Sequence, residues 1–322
     1  MKIGILTLPI LHNYGGALQA FAIHFFLKKN GFDSLLINHL PVSNSKIKYF
    51  FSSIKRLFCL RKHKENNITS FIKKHVACTD AMNCFSSRLV KKNGFDTIIV
   101  GSDQVWRPKY CYHIENYYLK FAKKNPINRI AYAASFGVDD WEYTLKQTRK
   151  CSRLAKKFDA ISVREESGVE LCKEKLGVNA SWVLDPTLLL TREDYLRICN
   201  EIPICTEKYL AVYVLDENKE VTAAYEKEST TRGLVIKKFH ADSKSTLTVP
   251  EWLALFRDAS YVVTDSFHGT VFSIIFGKDF NCIYNRGRGS ARFESLLKIY
   301  NSGKLDEMRT CSLNWLKNTL EK

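Results

Sequence analysis

The feature that most constrains the fold is an alternation of short apolar runs with longer helical segments. Near the start, the runs KIGILTL and SLLIN have the length and branching of buried strands, and residues 17–29 between them are typical of a helix. The same alternation continues to about residue 300. Strands that alternate with helices are typical of parallel sheets, so the sequence predicts an α/β protein.

The alternation falls into two series. The first ends with SWVLDPTLLL, the second begins near Tyr209, and we expect the linker within residues 190–208. At 322 residues the chain is long enough for two domains of ordinary size. We therefore predict two Rossmann-like domains, residues 1–190 and 191–322, with a binding cleft between them.

Polar residues collect where the predicted strands end. Ser102 and Asp103 follow TIIVG, and Arg164 and Glu165 follow AISV. Ligands of open α/β sheets bind beyond the carboxyl ends of the strands. This placement favours a ligand site over simple loops.

His268 lies between YVVTD and a long apolar run, at a junction where a strand ends and a helix begins. A helix N-terminus offers unpaired N–H groups that suit a phosphate or carboxylate, and a histidine there can transfer a proton near neutral pH. Asp265 could orient its ring, and Gly269 could let a ligand approach the backbone. The competing interpretation is a histidine that is satisfied by hydrogen bonds at a domain edge.

Arginines supply candidate anion contacts. Arg164 either clamps an anionic ligand or pairs with Glu165 or Glu166. The segment NRGRGSAR is either an anion-binding loop or a solvated basic loop, and its arginines are Arg286, Arg288 and Arg292.

The net charge of +16 suggests an acidic partner: nucleic acid, an anionic membrane surface or a phosphorylated substrate. Residues 46–64 hold seven lysines and arginines, no acidic residue, and interleaved phenylalanines and leucines. Such a basic segment either lies on an anionic membrane surface or packs its apolar face on the domain. The chain carries no helix-turn-helix, RRM or zinc signature, so we do not expect nucleic acid as the partner.

Other sequence signals are lacking. No apolar stretch reaches the ~18 residues of a membrane span, and the apolar start is too short for a signal peptide. The ten cysteines include no C-x-x-C pair and no metal-binding cluster. We therefore expect a cytoplasmic protein with reduced cysteines and no bound metal.

Several segments, in this order, resemble the polysaccharide pyruvyl transferases. They are NYGGALQAF, GSDQVW, YAASFG, SVREESG, VLDPTLLL and TDSFHGTVFSIIFGKDF, and an arginine-bearing loop follows them. The resemblance extends from about residue 3 to residue 300. It implies a fold similar to GT-B glycosyltransferases, with two Rossmann-like domains facing a cleft. It also implies transfer of pyruvate from phosphoenolpyruvate (PEP) to a sugar, usually as a cyclic ketal.

The resemblance also implies roles for residues. The active histidine of the family matches His268, beside Asp265, and its strand-end arginine matches Arg164. Some members carry an arginine where this chain has Ser266, and we expect other groups to take over that contact with PEP: the N–H groups of Gly269 and Thr270, or Arg288 and Arg292. Positions on the acceptor side match Asn13, Gly15, Ser102 and Asp103.

The implied partners are PEP, as a co-substrate with no further cofactor, and a sugar acceptor of a surface or capsular polysaccharide. Such acceptors are commonly lipid-linked, so the protein could be peripheral on the inner membrane face. The main alternative is a GT-B-type glycosyltransferase that uses a nucleotide sugar, although the chain lacks the Asp-x-Asp of a metal-bound nucleotide sugar. A non-catalytic nucleic-acid binder is the second alternative.

Overall fold

The structure is a computed structural model that describes residues 1–10, 13–40, 66–240, 246–284, 287 and 289–321. The basic segment 46–64 and the arginines Arg286 and Arg288 lie outside these ranges, so the predictions about them stay predictions. None of the helices in the described part of the chain combines the length and apolar character needed to cross a membrane.

The first part of the chain forms a six-stranded sheet in which every pairing is parallel. The order is β2-β1-β3-β4-β5-β6. The strands are β1 (Lys2–Leu6), β2 (Asp33–Leu36), β3 (Thr97–Gly101), β4 (Asn128–Ala134), β5 (Ala160–Val163) and β6 (Ser181–Trp182). β3 is buried along its whole length, as expected for a strand covered on both faces.

A second parallel sheet follows, with four strands in the order β10-β9-β7-β8. Its strands are β7 (Tyr209–Tyr213), β8 (Val235–Phe239), β9 (Tyr261–Thr264) and β10 (Phe280–Cys282). The prediction of an α/β protein with two Rossmann-like sheets is therefore confirmed.

Helices separate most of these strands. In the first part they are Tyr14–Lys29, Asn67–His75, Ser87–Asn93, Leu145–Ala155, Glu166–Leu171 and Arg192–Ile198. In the second part they are Lys219–Arg232, Val249–Arg257, Phe267–Ile275, Ala291–Asn301 and Leu305–Leu320.

Two elements differ from the sequence prediction. The first helix begins at Tyr14 rather than Ala17, because the side chain of Asn13 accepts a hydrogen bond from the Gly16 N–H and caps the helix earlier. SWVLDPTLLL is a strand only at its first two residues and turns into a short 3-10 helix at Pro186–Leu189. β6 is an edge strand that ends at Trp182, and Pro186 lies in the first turn of the 3-10 helix, where its fixed φ and missing N–H are tolerated.

The two sheets share one apolar core. A single cluster of buried side chains contains Ile3 of the first sheet and Tyr209 of the second. Across this junction Tyr14 stacks on Trp252 with ring centroids 5.3 Å apart, and the Tyr14 hydroxyl donates to the Leu247 carbonyl. The shared core holds the carboxyl ends of the first sheet against the second.

The last helix, Leu305–Leu320, packs on the first part of the chain. Its Ser312 Oγ accepts the N–H of Leu184 at 2.9 Å, and its Arg309 donates to the carbonyl of Leu188 at 2.8 Å. The division of the chain at residue 190 stays a proposal, and this helix crosses that division.

Candidate active site

Three strand ends and one helix start meet between the two sheets. Ser102 follows β3, Arg164 follows β5, and Asp185 comes shortly after β6. His268 lies in the first turn of the helix that follows β9. All four side chains are buried. The parallel topology brings the three strand ends to one edge, as the sequence predicted.

Asp185 lies at the centre of this group. Its Oδ2 accepts hydrogen bonds from Ser102 Oγ at 2.6 Å and from Arg164 Nη1 at 2.7 Å. Its Oδ1 accepts the N–H and the hydroxyl of Thr187. Burial by itself raises the pKa of this carboxyl, but Arg164, His268 and the two hydroxyls outweigh burial and lower the pKa to about 2. Asp185 is therefore ionised at neutral pH.

His268 faces Asp185 across a gap too long for a hydrogen bond. Its Nε2 lies 3.9 Å from Asp185 Oδ1 and is buried, with no hydrogen-bond partner among the described residues. Burial lowers the pKa of the imidazole to about 4; Arg164 and Arg292 add to this effect, and Asp185 opposes it. The ring is thus neutral at pH 7 and can accept a proton.

Gly15 makes room for the ring of His268. A Cβ added at Gly15 would lie 2.0 Å from His268 Nδ1, closer than any real contact. Gly15 lies in the first turn of the helix capped by Asn13, which is exposed. The first helix of one sheet and the histidine of the other therefore meet at a residue that has no side chain.

Arg292 is a buried cation without a carboxylate partner. Its side chain belongs to the helix Ala291–Asn301, and no carboxylate of the described residues lies within ion-pair distance of it. Its Nε has no hydrogen-bond partner in the same ranges. Burial, followed by repulsion from Arg164, lowers the pKa of Arg292 to about 10, which still leaves it charged at pH 7.

Phe267 contacts both guanidinium groups. The centre of its ring lies 4.5 Å from Arg164 Cζ and 5.7 Å from Arg292 Cζ. Asp185 neutralises Arg164, so Arg292, with a neutral histidine nearby, leaves one excess positive charge in a buried place. Such a site suits an anionic ligand.

Strained backbone surrounds the same edge of the first sheet. Ser102, Asp103 and Ala133 have positive φ angles of 22°, 58° and 52°. A non-glycine residue in this region costs about 1–3 kcal/mol and persists only where the surrounding structure holds it. This clustering at the ends of β3 and β4 supports a functional role for this edge.

Known proteins were compared with the chain as a whole. The family model described as polysaccharide pyruvyl transferase matches residues 13–287. This chain belongs to the polysaccharide pyruvyl transferase family. It is therefore a transferase, and the match includes Ser102, Arg164, Asp185 and His268 but ends before Arg292. Among the curated proteins, none matches this chain.

Solved structures similar to this pyruvyl transferase family member show its fold. UDP-GlcNAc 2-epimerase from Neisseria meningitidis, bound to UDP-GlcNAc, aligns with a TM-score of 0.52 and 11% identity over 99% of each chain. A glycosyltransferase from Rickettsia africae ESF-5 aligns with a TM-score of 0.48 and 10% identity, covering 99% of this chain and 93% of that chain. The alignment with the epimerase and the two parallel sheets confirm the predicted GT-B-like α/β fold.

Within this pyruvyl transferase family member, Asp265 does not orient His268 as the sequence suggested. Its two carboxylate oxygens accept the backbone N–H groups of Leu215 and Asp216, which follow the neighbouring strand β7. The carboxylate that faces the ring is Asp185. The prediction about Asp265 is wrong because its carboxylate is directed to the backbone that follows β7, whereas His268 faces Asp185.

The first turn of the helix Phe267–Ile275 also differs from expectation. Ser266 caps the helix, and its Oγ accepts the Gly269 N–H at 3.3 Å; the Thr270 N–H donates to the Ser266 carbonyl. Neither N–H is left for an anion, so that prediction is wrong. A Cβ at Gly269 would lie 2.2 Å from Thr264 Oγ1, so this glycine allows close packing on β9 rather than approach of a ligand.

On the predicted acceptor side, Ser102 donates to Asp185 and is buried. Asp103 is partly exposed, accepts the Gln104 N–H, and exerts an electrostatic effect on Arg292 and His268. The main ion-pair partner of Arg164 is Asp185. Glu165 is more distant, with its Oε1 3.9 Å from Arg164 Nε, and Glu166 pairs with Lys298 instead.

Sequence reasoning missed Asp185 and Phe267. The available signal for Asp185 was an acidic residue directly before a proline at the end of an apolar run. Phe267 carried no signal, because only the tertiary structure places its ring against two arginines. In the described ranges, no group of three or more His, Cys, Asp or Glu side chains is arranged to hold a metal ion.

Proposed function

We propose that this transferase moves pyruvate from PEP to hydroxyl groups of a sugar in a surface or capsular polysaccharide precursor, and forms a pyruvate ketal. The observation that carries the proposal is the buried guanidinium of Arg292, which has no carboxylate partner within the described residues and lies beside Arg164 and His268. A buried, unpaired cation is costly unless a ligand compensates it.

PEP has the charges that this site lacks, since it carries both a phosphate and a carboxylate. Arg164 has Asp185 as a partner, whereas Arg292 has none in the described ranges, so Arg292 gains most from an anion. Arginine forms paired, charge-assisted hydrogen bonds to both groups. We assign Arg292 and Arg164 as the donor clamp, with Arg288 as a further contact proposed from its place in the sequence.

His268 supplies the base. Transfer to C2 of PEP requires an attacking sugar hydroxyl to lose its proton, and the neutral imidazole can take it at Nε2. Asp185 then stabilises the imidazolium that forms, because its carboxylate is ionised and 3.9 Å away. The arginines stabilise the departing phosphate by charge.

Access to these groups requires movement. Arg164, Arg292 and His268 are only 4, 7 and 8% exposed. A donor of the size of PEP therefore reaches them when the loops around the junction of the two sheets separate. The acceptor enters, in this proposal, from the side of Asn13, Gly15 and Asp103, where the first helix meets His268.

The test uses labelled PEP with defined lipid-linked oligosaccharides and measures inorganic phosphate and labelled product together. We expect phosphate release that depends on the acceptor, with one pyruvyl group transferred per phosphate. UDP-sugars replace PEP in a parallel reaction. Sugar transfer from a UDP-sugar without any reaction of PEP would overturn the proposal in favour of a glycosyltransferase.

We also propose that residues 46–64 bring the protein to an anionic membrane surface, where a lipid-linked acceptor would lie. Seven basic residues support this from the sequence, at ~1 kcal/mol for each near such a surface. Vesicles of anionic lipid should bind the protein in a salt-sensitive way, and neutral vesicles should bind it weakly. Replacing Lys55, Arg56, Arg61 and Lys62 by glutamine should abolish binding but spare activity on a short soluble acceptor. Binding that survives the substitutions would contradict the proposal.

A further inference from the structure

Glu165 is a carboxyl group that the site buries completely and the reaction described so far does not use. It follows Arg164 directly, and its side chain is 0% exposed. Ser135 Oγ donates to its Oε1, while its Oε2 has no hydrogen-bond partner among the described residues. It lies at the N-cap of the helix Glu166–Leu171, but its side chain makes no capping hydrogen bond there.

The surroundings of Glu165 favour the protonated carboxylic acid over the carboxylate ion. Arg164 Nε is 3.9 Å from Oε1, too far for a hydrogen bond, and Nε itself is unpaired in the described ranges. Burial raises the pKa of Glu165, and its effect outweighs the opposing effects of Arg164, Ser135, Arg292 and the backbone N–H of Gly137. When an anionic donor binds to the two arginines, its negative charge raises the pKa of Glu165 further.

The pKa values of Glu165 and His268 are therefore shifted in opposite directions from their ordinary values. Burial raises the pKa of the Glu165 carboxyl and lowers the pKa of the His268 imidazole. Glu165 Oε1 lies 3.9 Å from Arg164 Nε, and His268 Nε2 lies 3.9 Å from Oδ1 of Asp185, the ion-pair partner of Arg164. Two titratable groups whose environments shift them apart in this way are typical of an acid and a base that work together.

We propose that Glu165 is the catalytic acid that protonates C3 of PEP, an assignment that rests on the proposed function. The O–H bond of the Glu165 carboxyl breaks, and the electron pair of the C2–C3 double bond forms the new C–H bond. The first sugar hydroxyl attacks C2 and gives its proton to His268 Nε2. The bond from C2 to the phosphate oxygen then breaks, and the phosphate leaves with that electron pair and the proton from His268.

The second sugar hydroxyl then attacks C2 and closes the ketal. Its proton returns to the Glu165 carboxylate, so both groups end in the state in which they began. The acceptor loses two hydroxyl protons in total. One replaces the proton that Glu165 gave to the methyl group, and the other leaves on hydrogen phosphate. No oxidant or further co-reactant is required.

The experiment compares the full-length wild type with Glu165→Gln, which is neutral and has nearly the shape of the protonated acid. Glu166→Gln is the matched control, because Glu166 is an exposed neighbour that pairs with Lys298. In D₂O the wild type should place one deuterium in the methyl group of each transferred pyruvyl unit. Glu165→Gln should fold, bind PEP within about twofold of wild type, and transfer ~10²–10⁴ times more slowly; the control should transfer normally.

Each other outcome identifies what failed. A wild type without PEP-dependent transfer overturns the proposed function, and this assignment with it. Where the wild type transfers, near-normal transfer by Glu165→Gln overturns the assignment alone. A Glu165→Gln variant that does not fold, or that loses PEP binding, also overturns it, because either result shows that an ionised Glu165 holds the arginines in place.

Discussion

Replacing Arg292 by methionine should make the protein more stable while it weakens donor binding. Burial with repulsion from Arg164 lowers the pKa of Arg292 well below the usual value of an arginine, to about 10. Because the folded chain holds this proton less tightly than the unfolded chain, the charge destabilises the fold wherever Arg292 is protonated, including pH 7. The difference corresponds to about 3 kcal/mol, at 1.36 kcal/mol per pKa unit.

Methionine keeps an apolar stem against Phe267 and Phe293, the two rings that Arg292 contacts, and removes the charge. Urea unfolding at pH 7 without ligand should therefore show an increase of up to about 3 kcal/mol in the free energy of unfolding. Calorimetric titration with PEP should show an affinity about 10 to 100 times weaker, since hydrogen bonds to a charged group contribute about 1.5–3 kcal/mol.

Arg257→Met is the control, because Arg257 has a carboxylate partner. Its Nε and Nη2 donate to Asp258 at 2.7 Å, and its Nη1 donates to the carbonyl of Cys199. Removing it should lower the free energy of unfolding and leave PEP affinity unchanged. Should Arg292→Met prove less stable than wild type, Arg292 has a partner that stabilises it, and the argument for an anion site at Arg292 is refuted.

Three further predictions concern groups around Asp185. His268→Ala should keep the fold and reduce the rate of transfer ~10²–10⁴-fold. In the wild type, the rate should stay constant as the pH falls to 5 and should decline through about pH 4, where His268 becomes protonated. A decline centred near pH 6.5 would contradict the lowered pKa of His268. Asp185→Asn should lower the free energy of unfolding by about 3–5 kcal/mol, because it leaves Arg164 as an uncompensated buried charge. Urea unfolding measures this free energy. A loss under about 1 kcal/mol would show that the ion pair between Arg164 and Asp185 contributes little to stability. Gly15→Ala should displace the His268 ring and abolish transfer, as measured with labelled PEP. The control Gly16→Ala, whose added Cβ would lie 3.2 Å from Asn13, should transfer normally. Equal rates for the two variants would disprove the contact between Gly15 and His268.

Much of this site follows from sequence because parallel topology has simple consequences. Once β3 and β5 are recognised, Ser102 and Arg164 must lie at the same edge of one sheet, whereas His268 follows β9 of the second sheet. What the pattern does not contain is the pairing of side chains across the edge. Asp185 is the partner of Arg164 because the chain leaves β6 after Trp182 and turns into the 3-10 helix that Asp185 caps.

The wrong predictions about Asp265 and Gly269 also arise because the sequence pattern does not contain side-chain contacts between strands. Asp265 is next to the helix of His268 in sequence, yet its carboxylate reaches backbone N–H groups that follow β7. Gly269 was interpreted as an opening for a ligand, but Thr264 and Tyr213 fill the space in front of it. The choice between a contact to a ligand and a contact to the next strand depends on distances of a few ångströms, which one-dimensional spacing does not specify.

The helix Leu305–Leu320 affects the order in which the molecule can fold during synthesis. Trp315 lies 5.9 Å from Tyr132 of β4, and Leu316 and Leu320 belong to the same apolar cluster as Ile3. The sheet made first therefore cannot bury its last apolar face until residues more than a hundred positions later have left the ribosome. In the interval that face is open to solvent, so we expect a nascent chain of this protein to bind chaperones that shield apolar surface.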